Sequence, residues 1–174
     1  RMGLKVAVAT RLAREDWHVI QLLEAVGVTA FAKATPASTC LTLTYPTDDL
    51  DQRTIALTSS AGPITLEAVA PIDARAYAIG ASVRGEVPEE VVRHIAGTGA
   101  ILALDIQGWL RIVRDGLLVS DGWPGKEAIL PLVTVFNTDA VEAKLLTGLD
   151  DRYEAARRLA AYGPKEVLMT HGGG

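Results

Sequence analysis

Apolar positions along the chain follow two different periods, and their alternation predicts strands followed by helices. Short β-branched runs predict strands, and apolar residues spaced three and four apart predict amphipathic helices. Gly27 and Gly148 are placed to end two of these helices. The predicted strands cover residues 5–10, 76–79, 101–105, 133–136 and 166–170, and the predicted helices cover residues 13–27, a stretch opened by Pro88, residues 139–148 and 151–162, with a short helical turn at 126–130.

Strands that alternate with helices indicate a mostly parallel sheet with helices on both faces. Each crossover between parallel strands must return over the sheet with a right-handed sense, so the helices are distributed over its two sides. No internal repeat or low-complexity segment interrupts the alternation. We therefore predict a three-layer, doubly wound α/β fold and a single domain formed by residues 1–174.

Residues 39–60 depart from this pattern and predict a β-hairpin. Leu41 and Leu43 alternate with threonines, and after a polar turn Ile55 and Leu57 do the same. One face of the hairpin is then apolar, and because an isolated hairpin is marginal in water, that face must cover something. Three interpretations fit the pattern: a lid over a site, a surface that pairs with another subunit, and an antiparallel extension of the main sheet.

Composition limits the classes of protein that fit. The chain has 174 residues, 49% of them hydrophobic, and a formal net charge of -4, so it can bury a sizeable core. No apolar run approaches the roughly 18 residues of a membrane span, and the start has no signal-peptide pattern, so we expect a cytoplasmic protein without membrane contact. Mild acidity without a basic patch argues against a nucleic-acid partner. A single cysteine, Cys40, excludes an internal disulfide and a cysteine-rich zinc site.

Two carboxylates stand at the start of the helix predicted for residues 139–148. Asp139 and Glu142 lie on its first turn, just after a buried strand, where open α/β sheets hold their ligands. Phosphates and their metal ion would sit there. The same spacing is that of a capping box, in which the pair only stabilises the helix. The residues alone leave both interpretations open.

Polar residues also follow the other predicted strands. Glu86 follows the strand of residues 76–79, Asp105 ends the strand of residues 101–105 and Gln107 follows it, and Thr170 begins a glycine-rich end. One acidic residue in such a loop is usually a helix cap. Several on one edge of a sheet, together with glycines, indicate a ligand site.

Two rival motifs fail on their surroundings. His171 followed by three glycines is similar to an esterase oxyanion loop, but no serine has the Gly-x-Ser-x-Gly context that a hydrolase needs. Gly97-Thr-Gly99 precedes a predicted strand and lacks a third glycine, so it is not a dinucleotide fingerprint. Hydrolase and dehydrogenase activities are therefore not expected.

The residues from Asp139 to Gly148 resemble a short family motif. Asp139-Ala-Val-Glu142 with the later Leu146-Thr147-Gly148 is similar to the Asn-x-x-Glu motif and trailing Leu-Thr-Gly of the ribokinase-like carbohydrate kinases, the PfkB family. Glu142 matches, whereas Asp139 stands where the family usually has Asn. An Asp keeps the hydrogen-bond acceptor but adds negative charge beside phosphates, which Mg²⁺ would have to offset.

Other segments resemble the same family in the order in which its members carry them. Gly85-Glu86-x-Pro88 resembles the segment in which the family has a sugar-contacting Glu. Asp105-x-Gln107-Gly108-x-x-Arg111 resembles the Asp-x-Asn-x-Arg stretch, with Gln for Asn and a longer spacing to Arg, and Val167-Leu-Met-Thr170-x-Gly172 resembles the strand and turn that meet the nucleotide. The hairpin of residues 39–60 resembles the substrate lid.

This resemblance implies phosphoryl transfer from ATP to a hydroxyl of a small sugar or polyol. The chemistry depends on positioning and charge neutralisation, which fits a site made of scattered loop residues. The apolar face of the lid predicts a homodimer formed through it. The implied roles are substrate binding by Glu86, contacts to the donor by Asp105, Gln107, Thr170 and Gly172, and Mg²⁺ binding by Glu142 and Asp139.

The resemblance covers the middle of the family's chain. Upstream, family members have a first strand whose Asp holds sugar hydroxyls. Downstream they have a Gly-Ala-Gly-Asp motif that supplies an anion hole and the catalytic base. Neither is found in this sequence, so no residue in it is assigned as the catalytic base. We expect a polypeptide of these 174 residues alone to be inactive, and the alternative function is a non-catalytic nucleotide-binding or structural core derived from such a kinase.

Overall fold

The computed structural model describes residues 3–48 and 52–170. Strands and helices alternate through most of this range, as the sequence pattern predicts. The strands are β1 (Val6–Ala13), β2 (Val28–Thr35), β3 (Cys40–Thr44), β4 (Thr54–Ser59), β5 (Ala76–Ile79), β6 (Ile101–Asp105), β7 (Arg111–Arg114), β8 (Leu117–Ser120), β9 (Val135–Asp139) and β10 (Glu166–Thr170). The helices are α1 (His18–Ala25), α2 (Leu66–Val69), α3 (Glu89–Gly97), α4 (Gln107–Leu110), α5 (Lys126–Ile129), α6 (Ala140–Thr147) and α7 (Arg152–Ala160), with 3-10 turns at Arg14–Asp16 and Leu130–Leu132.

Four parallel strands form the main sheet, in the order β10-β9-β6-β5. β1 and β2 form a separate two-stranded parallel sheet. A helix follows each of β1, β5 and β6, and the α6–α7 pair lies between β9 and β10. The predicted α/β class with parallel strands is confirmed, and because the strands of the main sheet are parallel, their carboxyl ends open at one edge.

The core lies around the main sheet. Buried aliphatic and aromatic side chains from β6, β9, α3 and α7 pack together there, and each contributes roughly 1.5–3 kcal/mol by leaving water. This packing fixes the strands whose ends carry the polar residues discussed below. The fully buried side chains at its centre include Val91, Val92, Leu102, Leu104, Phe136 and Leu159.

The predicted hairpin is present and belongs to a larger sheet. β3 and β4 pair antiparallel, with Leu41 opposite Leu57 and Leu43 opposite Ile55, so these four side chains share a face. β4 also pairs with β8, which gives a four-stranded antiparallel sheet in the order β3-β4-β8-β7. The hairpin is therefore not an extension of the main sheet. Residues 49–51 of its turn lie outside the described part of the chain.

The strands β7 and β8 were not predicted, although a local signal for them exists. Asp115 and Gly116 join them as a two-residue turn, and both have positive φ, 52° and 78°. An Asp-Gly pair between apolar runs is a strong hairpin signal because Gly and, to a lesser degree, Asp tolerate this left-handed conformation. β2 was also missed, since its alanines alternate with a mixture of threonine, phenylalanine and lysine that carries little apolar contrast.

Two helices differ from their predicted form. The first helix begins at His18 and not at Ala13, because β1 continues through Ala13 and a 3-10 turn follows it. In α6 the spacing of Val141, Leu145 and Leu146 predicts one buried apolar stripe, but only Leu146 is buried. Val141 and Leu145 are exposed, Val141 at 78%. The buried face consists of Ala143 and Leu146, which lie three residues apart and so point to the same side of the helix.

In the part of the chain that the structure describes, no helix combines the length and the apolar character needed to cross a membrane.

Candidate functional site

The end of β6 carries an acidic residue that is held in place by its neighbouring strand. Asp105 pairs in register with Asn137 of β9, and the Asn137 side-chain amide donates to Asp105 Oδ2 at 2.7 Å. The backbone N–H of Gln107 donates to the other carboxylate oxygen at 3.0 Å. Asp105 is thus fixed in orientation at the carboxyl edge of the sheet. Asn137 was not predicted as a site residue, because the predicted strand stopped at residue 136.

Asp139 and Glu142 form a capping box at the start of α6. Asp139 Oδ1 accepts from the Glu142 backbone N–H at 2.7 Å, and Glu142 Oε2 accepts from the Asp139 backbone N–H at 2.9 Å. The structural interpretation of this pair is therefore confirmed. The box leaves Asp139 Oδ2 and Glu142 Oε1 without a hydrogen bond from another described residue, so each carboxylate keeps one oxygen for a ligand.

The electrostatics of Glu142 show that its charge is costly in this position. Burial raises the pKa of Glu142 by withholding water from its charged form, and the charges of Asp139 and Asp105 raise it further. The hydrogen bond from the Asp139 backbone and the charge of Arg111 act in the opposite direction. Asp139 and Asp105 are therefore close enough to Glu142 to repel its charge, and Arg111 offsets this repulsion only in part.

Arg111 of the antiparallel sheet lies near this group of carboxylates, and Arg53 lies near Arg111. Burial lowers the pKa of Arg111, the first residue of β7, while Glu142, Asp105 and Asp139 raise it and Arg53 lowers it. Arg53 directly precedes β4. Among the described residues, Arg111 makes no ion pair at contact distance. A half-buried guanidinium that is near carboxylates but bonded to none of them is available to an anionic ligand.

Glu86 lies in a different loop, between β5 and α3. Its Oε1 accepts from the hydroxyl of Thr39 at 3.0 Å and its Oε2 from the backbone N–H of Ser82 at 2.6 Å. Thr39 directly precedes β3, so the carboxylate touches the base of the hairpin. No hydrogen bond or ion pair between described residues joins Glu86 directly to Asp105 or Glu142.

The loop that carries Glu86 is nevertheless fastened to the segment after β6. Arg84 donates through Nε to the Trp109 carbonyl at 2.7 Å and through its backbone N–H to the Arg111 carbonyl at 2.8 Å. Gly108 packs so closely on Ala81 that a Cβ at this position would overlap the Ala81 carbonyl. The structure thus holds the Glu86 loop and the Asp105–Arg111 segment at a fixed separation.

The other residues predicted to contact the phosphoryl donor make fewer hydrogen bonds among the described residues. Thr170 ends β10 opposite Asp139, and its hydroxyl donates to the Thr138 carbonyl at 3.4 Å. Gln107 has an exposed side chain. Gly172 lies outside the described residues. Thr170 also borders a cavity of about 310 Å³ lined by Ala140, Arg152, Tyr153, Ala156 and Met169.

Within residues 3–48 and 52–170, no group of three or more His, Cys, Asp or Glu side chains could hold a metal ion by itself. Mg²⁺ does not need such a group, because proteins usually bind it through one or two carboxylates, with water and substrate phosphates completing its shell. The unbonded oxygens of Asp139 and Glu142 fit that donor set.

Comparisons with known proteins give one clear result. No family model and no curated protein match the chain. Among solved structures, it is similar to a sulfate complex of a pyrophosphate-dependent kinase in the ribokinase family, with 32% identity and a TM-score of 0.90 over 98% of this chain and 60% of that one. The chain shares the fold of ribokinase-family kinases.

A second structure shows the same relation. A pyrophosphate-dependent kinase of the ribokinase family complexed with a pyrophosphate analog and myo-inositol is 31% identical, with a TM-score of 0.90 over 98% of this chain and 60% of that one. Aminoimidazole riboside kinase from Salmonella enterica, complexed with aminoimidazole riboside and an ATP analog, is 15% identical with a TM-score of 0.68 over 98% of this chain and 58% of that one, which shows the shared fold alone. The chain thus spans about 60% of the length of the ribokinase-family kinases it matches.

Proposed function

We propose that the protein carrying this chain transfers a phosphoryl group to a hydroxyl of a sugar or polyol. The observation that supports this most directly is the group of Asp105, Asp139 and Glu142 with Arg111 at the carboxyl edge of the main sheet. It occurs in a chain 31–32% identical to ribokinase-family kinases. Phosphoryl transfer requires charge neutralisation and positioning more than covalent chemistry, and a group of carboxylates with one guanidinium provides both.

The phosphoryl donor is proposed to be ATP or pyrophosphate. ATP follows from the sequence resemblance, and pyrophosphate is the donor named for the kinases with 31–32% identity. Both donors present a terminal diphosphate, so the residues that contact the phosphates are expected to be the same for either one. We assign Asp105, Gln107, Thr170 and Gly172 to the donor side, and Arg111 to charge compensation of its phosphates.

Mg²⁺ is proposed to bind at the start of α6. Glu142 and Asp139 would hold it, directly or through water, by the oxygens that the capping box leaves unused. When bound, Mg²⁺ neutralises phosphate charge and polarises the transferring group. Without Mg²⁺ the two carboxylates still have a structural role, because they fix the start of α6 beside the proposed donor site.

Glu86 is proposed to bind the substrate hydroxyls, with the antiparallel sheet as the lid. Ala56 pairs with Leu117, so the alternate residues Ile55 and Leu57 share the opposite face with Leu118. Arg111 is on that face too, since Val113 pairs with Leu118. The apolar face of residues 39–60 therefore shares a side of the sheet with the arginine that faces the carboxylates, which supports a lid that excludes water from the reaction.

A single domain over residues 1–174 and a cytoplasmic location remain predictions.

The test is an activity assay on the protein as its gene encodes it. Myo-inositol, ribose and other polyols are offered with ATP and with pyrophosphate separately, and a new phosphomonoester is followed by phosphorus NMR. We expect a phosphorylated polyol with at least one donor, and the preferred donor decides between the two. Tight donor binding without any phosphorylated product would favour the alternative, a non-catalytic nucleotide-binding or structural protein derived from a kinase.

Dimerisation through the lid is a separate prediction. Leu43 is 44% exposed and shares its face with Leu41, Ile55 and Leu57. Burying these four side chains is worth roughly 1.5–3 kcal/mol each, so we expect a second subunit to cover them. Light scattering at micromolar concentration should show a dimer for the wild type and a monomer for Leu43→Asp.

The matched control is Thr42→Asp, which adds the same charge on the opposite face of the same strand, where Thr42 pairs with Ala56. It should leave the dimer intact. A wild-type monomer whose mass is unaffected by Leu43→Asp would show that the prediction is wrong.

A further inference from the structure

The base of the hairpin is closed by one threonine hydroxyl. Thr39 directly precedes β3 and Ala61 lies just beyond β4, and the Ala61 backbone N–H donates to Thr39 Oγ1 at 3.1 Å. Ala61 is buried, with 6% of its surface exposed, so this N–H depends on Thr39 for its partner. A backbone N–H can only donate, so the hydroxyl accepts from it and directs its own proton to Glu86 Oε1 at 3.0 Å.

The Glu86 carboxylate is held at both oxygens by different segments. Thr39 binds Oε1, and the Ser82 backbone N–H binds Oε2 at 2.6 Å. The backbone of Glu86 is fixed as well, because its carbonyl accepts from the Ile64 N–H at 2.8 Å. Two bonds to two oxygens set the plane of the carboxylate, and the lone pairs that remain then point in fixed directions.

The two chain segments at the base of the hairpin are hydrogen-bonded to each other next to Thr39. Ser59 donates its hydroxyl to the Ser38 carbonyl at 2.6 Å, and Arg11 Nε donates to the Ala61 carbonyl at 2.9 Å. Ser38 also accepts from the Ala13 backbone N–H at 2.9 Å through its hydroxyl. The base of the hairpin is therefore one hydrogen-bonded unit, and Thr39 is the residue of that unit that reaches Glu86.

We propose that Thr39 is a positioning residue that couples substrate binding to the placement of the lid. The inference rests on the proposed role of Glu86 in binding substrate hydroxyls. The Thr39 hydroxyl orients the carboxylate so that its open lone pairs accept from the hydroxyls of a polyol, and it ties the hairpin base to the same carboxylate. A polyol bound to Glu86 and a closed hairpin then stabilise each other.

The first experiment compares three variants of the protein as its gene encodes it, with myo-inositol as the probe and a saturating donor. Thr39→Val removes the hydroxyl and keeps the shape, and Thr39→Ser keeps the hydroxyl. Thr42→Val makes the same change on the exposed face of β3. We expect Thr39→Val to raise KM by about ten-fold, as for loss of one hydrogen bond to a charged group, and Thr39→Ser to stay within about two-fold of wild type. Thr42→Val should leave KM unchanged, and an unchanged KM in Thr39→Val would overturn the proposal.

The second experiment tests the link from the other side and does not depend on Thr39→Val folding. Amide hydrogen exchange of β3 and β4 should become faster in Glu86→Gln, because the hairpin base loses its charged acceptor. Unchanged exchange in the hairpin would overturn the coupling even if turnover fell. If Glu86→Gln leaves KM unchanged, the substrate role of Glu86 fails and the inference fails with it. If Glu86→Gln raises KM but Thr39→Val does not, the role of Thr39 alone is wrong.

Discussion

Replacing Glu142 with glutamine is expected to lower turnover by about ten-fold or more while changing the free energy of unfolding by no more than about 1 kcal/mol. Glutamine retains a side-chain oxygen that can accept from the Asp139 backbone N–H, so the capping box survives. It loses the negative charge that would help hold Mg²⁺ beside the phosphates. Turnover and thermal unfolding are measured on the same preparations.

The matched control for this variant is Glu154→Gln. Glu154 also stands three residues after a capping aspartate, Asp151, at the start of α7, but it is exposed and is not among the charges that act on Glu142 or Arg111. Its replacement should leave turnover unchanged. A loss of stability in Glu142→Gln with unchanged turnover would mean that Glu142 serves only as a cap partner.

The raised pKa of Glu142 adds a pH dependence to the same comparison. Because the folded state holds the Glu142 proton more tightly than the unfolded state does, the stability from this group is complete below the ordinary glutamate pKa. It is lost as pH rises through the folded-state pKa. Glutamine does not titrate, so Glu142→Gln should gain stability relative to wild type between about pH 4 and pH 7. Urea unfolding of both proteins at both pH values checks this. If the wild type instead gained stability relative to Glu142→Gln as pH rises, burial would not raise the pKa of Glu142.

Replacing Gly108 with alanine is expected to destabilise the fold by about 1–3 kcal/mol or more. The new Cβ would overlap the carbonyl of Ala81, and a backbone atom cannot move aside as a flexible side-chain tip can. Relief would require the Glu86 loop to separate from the Asp105–Arg111 segment. We therefore expect turnover to fall as well, since the proposed substrate and donor residues lie on these two segments.

Gly97→Ala is the control for this effect. Gly97 is the last residue of α3, and a Cβ there would meet nothing within 4 Å. Alanine at that position should be neutral or stabilising by up to about 1 kcal/mol, because it has the higher helix propensity. Chemical unfolding of both variants makes the comparison. Equal stability of the two would show that the contact between Gly108 and Ala81 relaxes without cost.

Local patterns were sufficient for much of the fold and part of the site. The strands predicted at residues 76–79, 101–105 and 166–170 have the observed bounds, because each is a compact β-rich run with a clear end. The helix stop at Gly148 is confirmed by its positive φ of 75°. The Asp139–Glu142 capping box is likewise an interaction between residues three positions apart, which sequence spacing is able to specify.

Interactions between distant segments were beyond the sequence pattern. Asn137 holds Asp105 across 32 positions, and Thr39 reaches Glu86 across 47. Neither residue stood out in the sequence, since each became part of the site only when two strands or loops were placed side by side. Arg53 was missed for the same reason, because its charge acts on Arg111 only where the fold brings the two arginines near each other.

The sequence by itself determined the α/β class, most of the strand and helix positions and the carboxylates at the strand ends, because these follow from hydrophobic period and from contacts within one turn. Only the tertiary structure decided that the hairpin joins β7 and β8 in one sheet and that Glu86 is bonded to the base of the hairpin. It also decided that α6 buries Ala143 and not Val141. The physical reason is that pairing partners, buried faces and the spacing of charges are set by which segments pack together, and that is a property of the whole folded chain.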